Sequence, residues 1–154
     1  MAAYDSGLVT IECTKRAAAF GLWGIWSLFG KQLFADLVDE TFATAQQLYQ
    51  LLYDSEDFET LHQPQCNIVA FRYLPTWLVA ETPERISAFQ RDLRRELIHS
   101  GEFYIVQTTL DGQAALRVTV MNPLTESSHC VDLLDAIRRT GDKLRQTPFA
   151  GSSP

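Results

Sequence analysis

The chain has 154 residues, of which 46% are hydrophobic and 21% charged, and a formal net charge of −6 at pH 7. This length is typical of one domain and this composition of a globular protein, which argues against intrinsic disorder. An acidic surface repels phosphate backbones, and the densest basic cluster, Arg91, Arg94 and Arg95, alternates with Asp92 and Glu96. We therefore expect no nucleic-acid partner.

The cysteines and the N-terminal residues bear on the cellular compartment. Cys13, Cys66 and Cys130 are odd in number and form no CxxC pair, which argues against a disulfide framework and a structural zinc site. Residues 1–6 lack the basic segment and apolar run of a signal peptide. The apolar run of residues 17–29 is too short to span a bilayer. These features predict a cytoplasmic protein with reduced thiols, no metal site and no membrane partner.

The first third of the chain is predicted to be mainly helical. A strand or extended lead-in over residues 8–11 precedes a helix over residues 16–29, which is apolar on all sides and ended by Gly30. A longer helix over residues 31–53 follows from apolar residues spaced at i, i+3 and i+4. Its predicted buried stripe comprises Leu33, Phe34, Leu37, Val38, Phe42, Ala45, Leu48, Tyr49 and Leu52.

Strand-like patterns begin after this helix. Strands are predicted over residues 58–62 and 67–73, and Pro75 ends the second. A third helix has Thr82 as its N-cap and a proline at its first position, and it ends at Gly101. The central part of the chain therefore predicts two strands followed by a helix.

A hairpin and a final helix complete the prediction. The pair Asp111-Gly112 between the β-prone runs 103–110 and 113–121 predicts a tight hairpin turn. The last helix covers residues 126–145, and its predicted buried stripe comprises Val131, Leu134, Ile137 and Leu144. The order of elements predicts an α+β fold, in which N-terminal helices are followed by a four-stranded, mostly antiparallel sheet with helices on one face.

The sequence lacks the common catalytic motifs. It contains no GxSxG elbow for a nucleophilic serine, and no GxGxxG or GxxxxGK[ST] loop for a phosphate group. The histidines are scattered, and each is interpreted as a surface or capping residue: His62, His99 and His129. Taken alone, these residues do not form an active site.

Two local features stand out from this background. Lys15 and Arg16 directly precede the all-round apolar helix, where either a solvated pair or a functional pair fits the pattern. Strand alternation places Leu116 and Val118 on one face of a strand and Arg117 on the other. A solvent-facing arginine fits that placement, and so does a binding residue, because a guanidinium can bind a carboxylate through two parallel hydrogen bonds.

The segment of residues 11–23, IECTKRAAAFGLW, resembles the start of the C-terminal portion of the pyridoxal-phosphate-dependent group II amino-acid decarboxylases. The long helix, the strand of residues 67–75 (NIVAFRYLP) and the strand of residues 116–123 (LRVTVMNP) follow in the family's order. The resemblance covers about residues 11–145 and is greater to the glutamate and diaminobutyrate decarboxylase branch than to the aromatic branch. It implies the small C-terminal domain of a fold-type-I enzyme, which packs behind a large cofactor domain.

The resemblance also implies roles for particular residues. Arg117 matches the family arginine that binds the α-carboxylate of the substrate, and Lys15 and Arg16 are candidate active-site or interface residues. Pyridoxal phosphate needs a lysine for its Schiff base, an acid at the pyridine nitrogen and donors around its phosphate. Besides Lys15, the only lysines are Lys31 and Lys143, and no histidine precedes either, as it usually does in the family. We therefore expect no catalytic or cofactor-binding residue in this chain.

The resulting hypothesis is a C-terminal fragment of a decarboxylase, a carboxy-lyase. Residues 1–30 are a linker strand and helix from a missing N-terminal large domain, residues 31–147 are the small domain, and residues 148–154 are a frayed tail. The complete enzyme is expected to be a homodimer with pyridoxal phosphate and an amino-acid substrate, whereas the isolated chain is inactive and binds no cofactor.

Two other hypotheses stay open at this point. One is a free-standing α+β module for ligand binding or dimerisation without catalysis, and the other is a small complete enzyme. The helix over residues 17–29 distinguishes the first of these from a fragment. A fragment should expose an apolar patch there and self-associate through it, whereas a free-standing module should bury Trp23 and Trp26.

Overall fold

The computed structural model describes residues 17–146. The chain divides into two compact units, Met1–Asp36 and Leu37–Pro154. The predicted lead-in strand at residues 8–11 and the predicted tail at residues 148–154 lie outside the described residues. Within residues 17–146, no helix combines the length and hydropathy that crossing a membrane requires.

The first helical element, α1, runs from Ala18 to Tyr53 and is interrupted at Gly30. Gly30 has φ 68° and ψ −171°, a left-handed φ that glycine adopts without the steric cost other residues incur. The prediction that one helix ends at Gly30 and another follows is confirmed. Within the first unit, the rings of Trp26 and Phe34 lie 5.2 Å apart between centroids.

The buried face of α1 begins later than its periodicity predicts. Leu37, Val38 and Phe42 were placed in the buried stripe, but all three are exposed, so this part of the prediction is wrong. Apolar spacing identifies a helix face that can be buried by packing. Within residues 17–146, other residues pack against this face only in the later part of α1. The residues of α1 that are buried are Thr41, Thr44, Ala45, Leu48 and Leu52.

A four-stranded sheet forms the centre of the second unit. Its strands are β1 (Phe58–Thr60), β2 (Ile68–Tyr73), β3 (Val106–Leu110) and β4 (Gln113–Thr119). Their order is β1-β2-β4-β3, and every neighbouring pair is antiparallel. Asp111 and Gly112 join β3 to β4 with φ values of 51° and 77°, as a two-residue hairpin turn of type I′ requires. The predicted hairpin is confirmed.

The strands are shorter than predicted, and side chains take part in the hydrogen bonding at two of their ends. After β1, the Nε2 atom of His62 accepts a hydrogen bond from the backbone N of Ala70 at 3.2 Å. Beyond β4, the side-chain amide of Asn67 donates to the carbonyl oxygen of Val120 at 2.7 Å. Such bonds satisfy backbone groups that would otherwise need a longer ladder.

Three further helices complete the second unit: α2 (Thr76–Val79), α3 (Pro83–Ser100) and α4 (Ser127–Gln146). The short helix α2 was not predicted. The predicted caps of α3 are confirmed, since the Oγ1 atom of Thr82 accepts a hydrogen bond from the backbone N of Arg85 and Gly101 has φ 75°.

Val131 of α4 is exposed, so its place in the predicted buried stripe of this helix is wrong. The residues of α4 that are buried are Cys130, Leu133, Leu134, Ala136, Ile137 and Gly141.

The helices cover one face of the sheet. Phe71 of β2 pairs with Leu116 of β4, and both lie in one hydrophobic core with Leu52 of α1, Leu93 of α3 and Ile137 of α4. The predicted α+β fold, with an antiparallel sheet and helices on one face, is confirmed. The residues that alternate with this core point away from the helices, and they form the opposite face of the sheet.

Candidate functional site

Arg117 lies in the middle of β4, on the sheet face opposite the helices. It pairs with Ala70 of β2 on one side and with Val106 of β3 on the other, while its neighbour Leu116 is fully buried in the core. The side chain of Arg117 is partly exposed, so it is not folded away beneath the helices. Hydrogen-bonded strands on both sides hold its backbone in place.

The guanidinium of Arg117 has no counter-ion within residues 17–146. Its Nε atom is buried and has no hydrogen-bond partner in the same part of the chain. A buried donor without a partner is costly, and the cost is removed when an acceptor binds. A carboxylate offers two acceptor oxygens at the spacing of a guanidinium fork. The geometry therefore suits an anionic ligand.

A second arginine lies on the same face, and its charge is compensated. The Nη1 atom of Arg72 lies 2.8 Å from Oε2 of Glu59 on β1. The Nε atom of Arg72 donates to the carbonyl oxygen of Ala114 at 3.1 Å. The sequence analysis singled out neither Arg72 nor Glu59. A charged residue within the apolar strand of residues 68–73 was a signal that could have identified Arg72.

The histidines act as caps or surface residues, as interpreted from the sequence. Besides His62 at the end of β1, His129 accepts a hydrogen bond from the backbone N of Glu126 at 3.0 Å through its Nδ1 atom. His99 is exposed near the end of α3, and its Nδ1 atom lies 3.9 Å from Glu96. His62 is bonded to Ala70, the residue that pairs with Arg117, whereas the contacts of His99 and His129 are to Glu96 and Glu126.

Three titratable groups on the helix side of the sheet have shifted pKa values, and burial raises the pKa of one of them, the Cys130 thiol. Burial, followed by the nearby carboxylates of Asp142 and Asp57, raises the pKa of Tyr73 to about 12. Arg138 donates two hydrogen bonds to the carboxylate of Asp57, at 2.7 and 2.9 Å, and this bonding raises the pKa of Arg138. The pair connects the start of β1 to α4, which indicates a structural role.

The residues described do not fit pyridoxal phosphate. Lys31 belongs to the first unit and is exposed. Lys143 is exposed on α4, a helix that packs on the sheet face opposite Arg117. Lys143, the lysine of the second unit, therefore could not form a Schiff base beside Arg117 within that unit. Residues 17–146 also contain no cluster of His, Cys, Asp and Glu that could hold a metal ion.

Two cavities of the second unit lie away from Arg117. One, of about 330 Å³, lies on the helix side of the sheet, between Val118 and Val120 of the hairpin and Leu133 of α4. Another, of about 340 Å³, lies between the ends of α3 and α4, beside Glu102 and Arg139. Arg117 lines neither of these two cavities.

The first unit carries an exposed apolar surface, which we call the aromatic patch. Trp23 is 62% exposed and Trp26 is 52% exposed. The patch consists of Phe20, Leu22, Trp23, Ile25, Trp26, Leu28 and Phe29, all exposed. The surface expected of a fragment is therefore present. The predicted site residues Lys15 and Arg16, just ahead of the patch, lie outside the described residues.

Comparisons with known proteins support the resemblance seen in the sequence. The family described as "Pyridoxal-dependent decarboxylase conserved domain" matches residues 1–74. The aromatic-L-amino-acid decarboxylase of Bacillus atrophaeus is 25% identical over 87% of this chain, and an acidic amino acid decarboxylase of Mus musculus is 26% identical over 90% of it. The alignments span 28% and 26% of these two relatives. The chain thus corresponds to little more than a quarter of their length.

A solved structure shows the same fold. The glutamate decarboxylase domain of a diaminobutyrate-pyruvate transaminase and L-2,4-diaminobutyrate decarboxylase from Vibrio parahaemolyticus superposes with a TM-score of 0.73 and 24% identity. The superposition covers 90% of this chain and 28% of that one. Both aromatic and acidic decarboxylases are among the relatives, so the predicted branch stays a prediction. Together, the family match to residues 1–74, the relatives and the shared fold show that this chain is similar to proteins of the pyridoxal-dependent decarboxylase family.

Proposed function

We propose that this chain is the C-terminal part of a pyridoxal-phosphate-dependent amino-acid decarboxylase, and that Arg117 binds the carboxylate of the amino-acid substrate. The observation that carries the proposal is the state of Arg117. It lies on the sheet face away from the helices, its Nε atom is buried and unpaired, and no carboxylate of residues 17–146 pairs with it. The names of the relatives, which decarboxylate aromatic or acidic amino acids, support the reaction class.

In this proposal Arg117 binds and orients. A hydrogen bond to a charged partner contributes about 1.5–3 kcal/mol, and two parallel bonds fix the plane of the bound carboxylate as well as its position. Pairing of β4 with strands on both sides restrains the backbone of Arg117, so less ordering is required when the ligand binds. Arg117 holds the group that the reaction removes, and no proton transfer is assigned to it.

The rest of the enzyme is proposed to come from a missing N-terminal large domain. That domain would supply the cofactor lysine, and the complete enzyme would be a cytoplasmic homodimer. The alternative, a free-standing module, requires internal cover for the helix of residues 18–29. The exposure of Trp23 and Trp26 favours a fragment, because large apolar surfaces usually mark an interface.

The test uses a longer protein that extends this chain upstream in its own gene. Arg117→Lys keeps the charge but loses the planar fork. It should lower kcat/KM for amino-acid decarboxylation by about 10- to 100-fold, the loss of roughly 1.5–3 kcal/mol of carboxylate binding. Arg91→Lys, at an exposed position of α3, is the matched control and should leave kcat/KM unchanged. Equal activity of Arg117→Lys and the unchanged enzyme would contradict the proposed role.

The isolated chain gives a second test. It should self-associate in analytical ultracentrifugation through the aromatic patch, and Trp23→Lys should weaken this association. With pyridoxal phosphate it should develop no stoichiometric absorbance of a lysine-bound cofactor. A strictly monomeric chain would favour the free-standing module, and a stoichiometric band abolished by changing one lysine would overturn the assignment of the cofactor lysine to the missing domain.

A further inference from the structure

We propose that Glu59 and Arg72 limit the sheet face opposite the helices to one carboxylate. In this arrangement Arg117 binds a single carboxylate, and a second acidic group on the substrate has to be recognised elsewhere. The inference rests on the proposed binding of a carboxylate by Arg117, and it adds a determinant of selectivity to that site.

The two arginines are close neighbours on this face. Ala70 pairs with Arg117, and Phe71 pairs with Leu116, so the next step along β2 places Arg72 opposite residue 115. Arg72 and Arg117 are therefore diagonal neighbours, whose separation of about 7–8 Å long side chains can bridge.

Small residues occupy the positions beside these arginines. The residue opposite Arg117 is Ala70 and the residue opposite Arg72 is Ala115, and both alanines are buried. The side chain opposite each arginine is therefore a single methyl group. Without compensation, this face would present two positive charges at a separation that suits a dicarboxylate.

The compensation comes from the adjacent strand. Glu59 lies directly opposite Arg72 in the pairing of β1 with β2, and the two side chains form an ion pair at 2.8 Å. The side chain of Arg72 is only 9% exposed, whereas that of Glu59 is 43% exposed. The bond to Ala114 O draws the Nε atom of Arg72 onto the backbone. The Nε and Nη1 atoms of Arg72 thus both have partners, and Arg117 is left as the cation of this pair without a counter-ion within residues 17–146.

This role differs from a purely structural one in what it predicts. If the ion pair only stabilised the sheet, its loss would lower stability without changing which anion binds. If it sets the number of available cations, removal of the Glu59 charge should free Arg72 and create a second carboxylate site. The selectivity between a monocarboxylate and a dicarboxylate separates the two roles.

The experiment uses the 154-residue chain and the NMR signals of its arginine Nε–H groups. Butyrate is the monocarboxylate probe and glutarate the dicarboxylate probe, and both are titrated at constant ionic strength. In the unchanged chain we expect the Arg117 signal to move with both probes, the Arg72 signal to move with neither, and the two affinities to agree within about twofold, because two equivalent carboxylates give a statistical factor of that size.

Glu59→Gln should then tighten glutarate relative to butyrate by about tenfold, since a second charge-assisted contact becomes available, and the Arg72 signal should respond. Glu59→Asp should keep the selectivity of the unchanged chain, and so should the double change Glu59→Gln with Arg72→Gln. Where Glu59→Gln does not fold, an Arg72 signal that moves with glutarate in the unchanged chain still overturns the role of Glu59.

The outcomes distinguish this inference from the proposed function. If the Arg117 signal responds to neither probe, the proposed carboxylate site fails and this inference fails with it. If Arg117 responds but Arg72 also moves with glutarate in the unchanged chain, only the role of Glu59 is overturned. A folded Glu59→Gln variant that keeps the selectivity of the unchanged chain would also overturn only the role of Glu59.

Discussion

Gly141 of α4 is buried against the ring of Tyr73, and we expect Gly141→Ala to destabilise the second unit. A Cβ atom at this position would lie 3.2 Å from Cδ1 and 3.3 Å from Cζ of Tyr73, and closer still to Cε1. The ring has little room to yield, because it is buried and packs against Phe58 and Phe89, with centroids 5.2 and 6.4 Å away.

Two opposing effects decide the sign of this change. Alanine is favoured over glycine inside a helix by about 1 kcal/mol, and Gly141 has no positive φ that would penalise a side chain. Overpacking of a buried site costs about 1–3 kcal/mol, and a contact with a rigid ring lies at the upper end of that range. The expected net loss is about 1–2 kcal/mol in the free energy of unfolding.

Urea unfolding measures the effect. With a slope of about 2 kcal/mol/M, the midpoint should fall by roughly 0.5–1 M. The matched control is Gly21→Ala, which meets no atom within 4 Å and should not lower the midpoint. Tyr73→Leu removes the obstructing ring, so Gly141→Ala should cost less in that background. A Gly141→Ala variant as stable as the unchanged chain would refute the steric argument.

Two further predictions concern Tyr73 and its neighbours. Gln90 is fully buried, and its side-chain amide donates to the carbonyl oxygen of Tyr73 at 2.7 Å and accepts from its backbone N at 3.1 Å. Gln90→Leu leaves both groups buried and unpaired, so it should cost about 2–4 kcal/mol in urea unfolding, and a loss below 1 kcal/mol would contradict this. The raised pKa of Tyr73, about 12 against an ordinary 10.0, means that the fold favours the neutral phenol. The contribution of the Tyr73 phenol to the free energy of unfolding is fully present below pH 10. It is lost as the pH rises toward 12, by at most about 1.4 kcal/mol per pH unit. Urea midpoints at pH 9 and 11 should therefore fall less in Tyr73→Phe, and an equal fall would contradict the shift.

Local backbone requirements explain why much of the fold could be predicted. Gly30 and Gly101 both adopt positive φ, and Asp111-Gly112 forms the hairpin turn that its sequence favours. Each of these signals acts over a few residues, so the sequence is sufficient to locate it. The helix Thr76–Val79 has only four residues, which is too few to show a helical period.

The candidate site required information that local patterns do not contain. Strand alternation was enough to separate Arg117 from Leu116, but it says nothing about a counter-ion. The ion pair of Arg72 with Glu59 depends on the register between β1 and β2, and register is fixed by long-range pairing and turn geometry. The residues next to Arg72 and Arg117 in the sequence therefore do not show which of the two lacks a counter-ion.

The spacing of apolar residues shows that a helix face needs a cover, and it does not show what provides the cover. Ala45, Leu48 and Leu52 of α1 are covered by the core of the second unit. The apolar residues earlier in α1, including Trp23 and Trp26, are equally apolar in sequence, yet residues 17–146 leave them exposed. The two parts of α1 therefore differ in whether residues 17–146 pack against them, and not in the spacing of their apolar residues. An exposed face of this kind, in a chain that spans about a quarter of its relatives, is what supports the proposal that a larger domain or a second copy covers it in the complete enzyme.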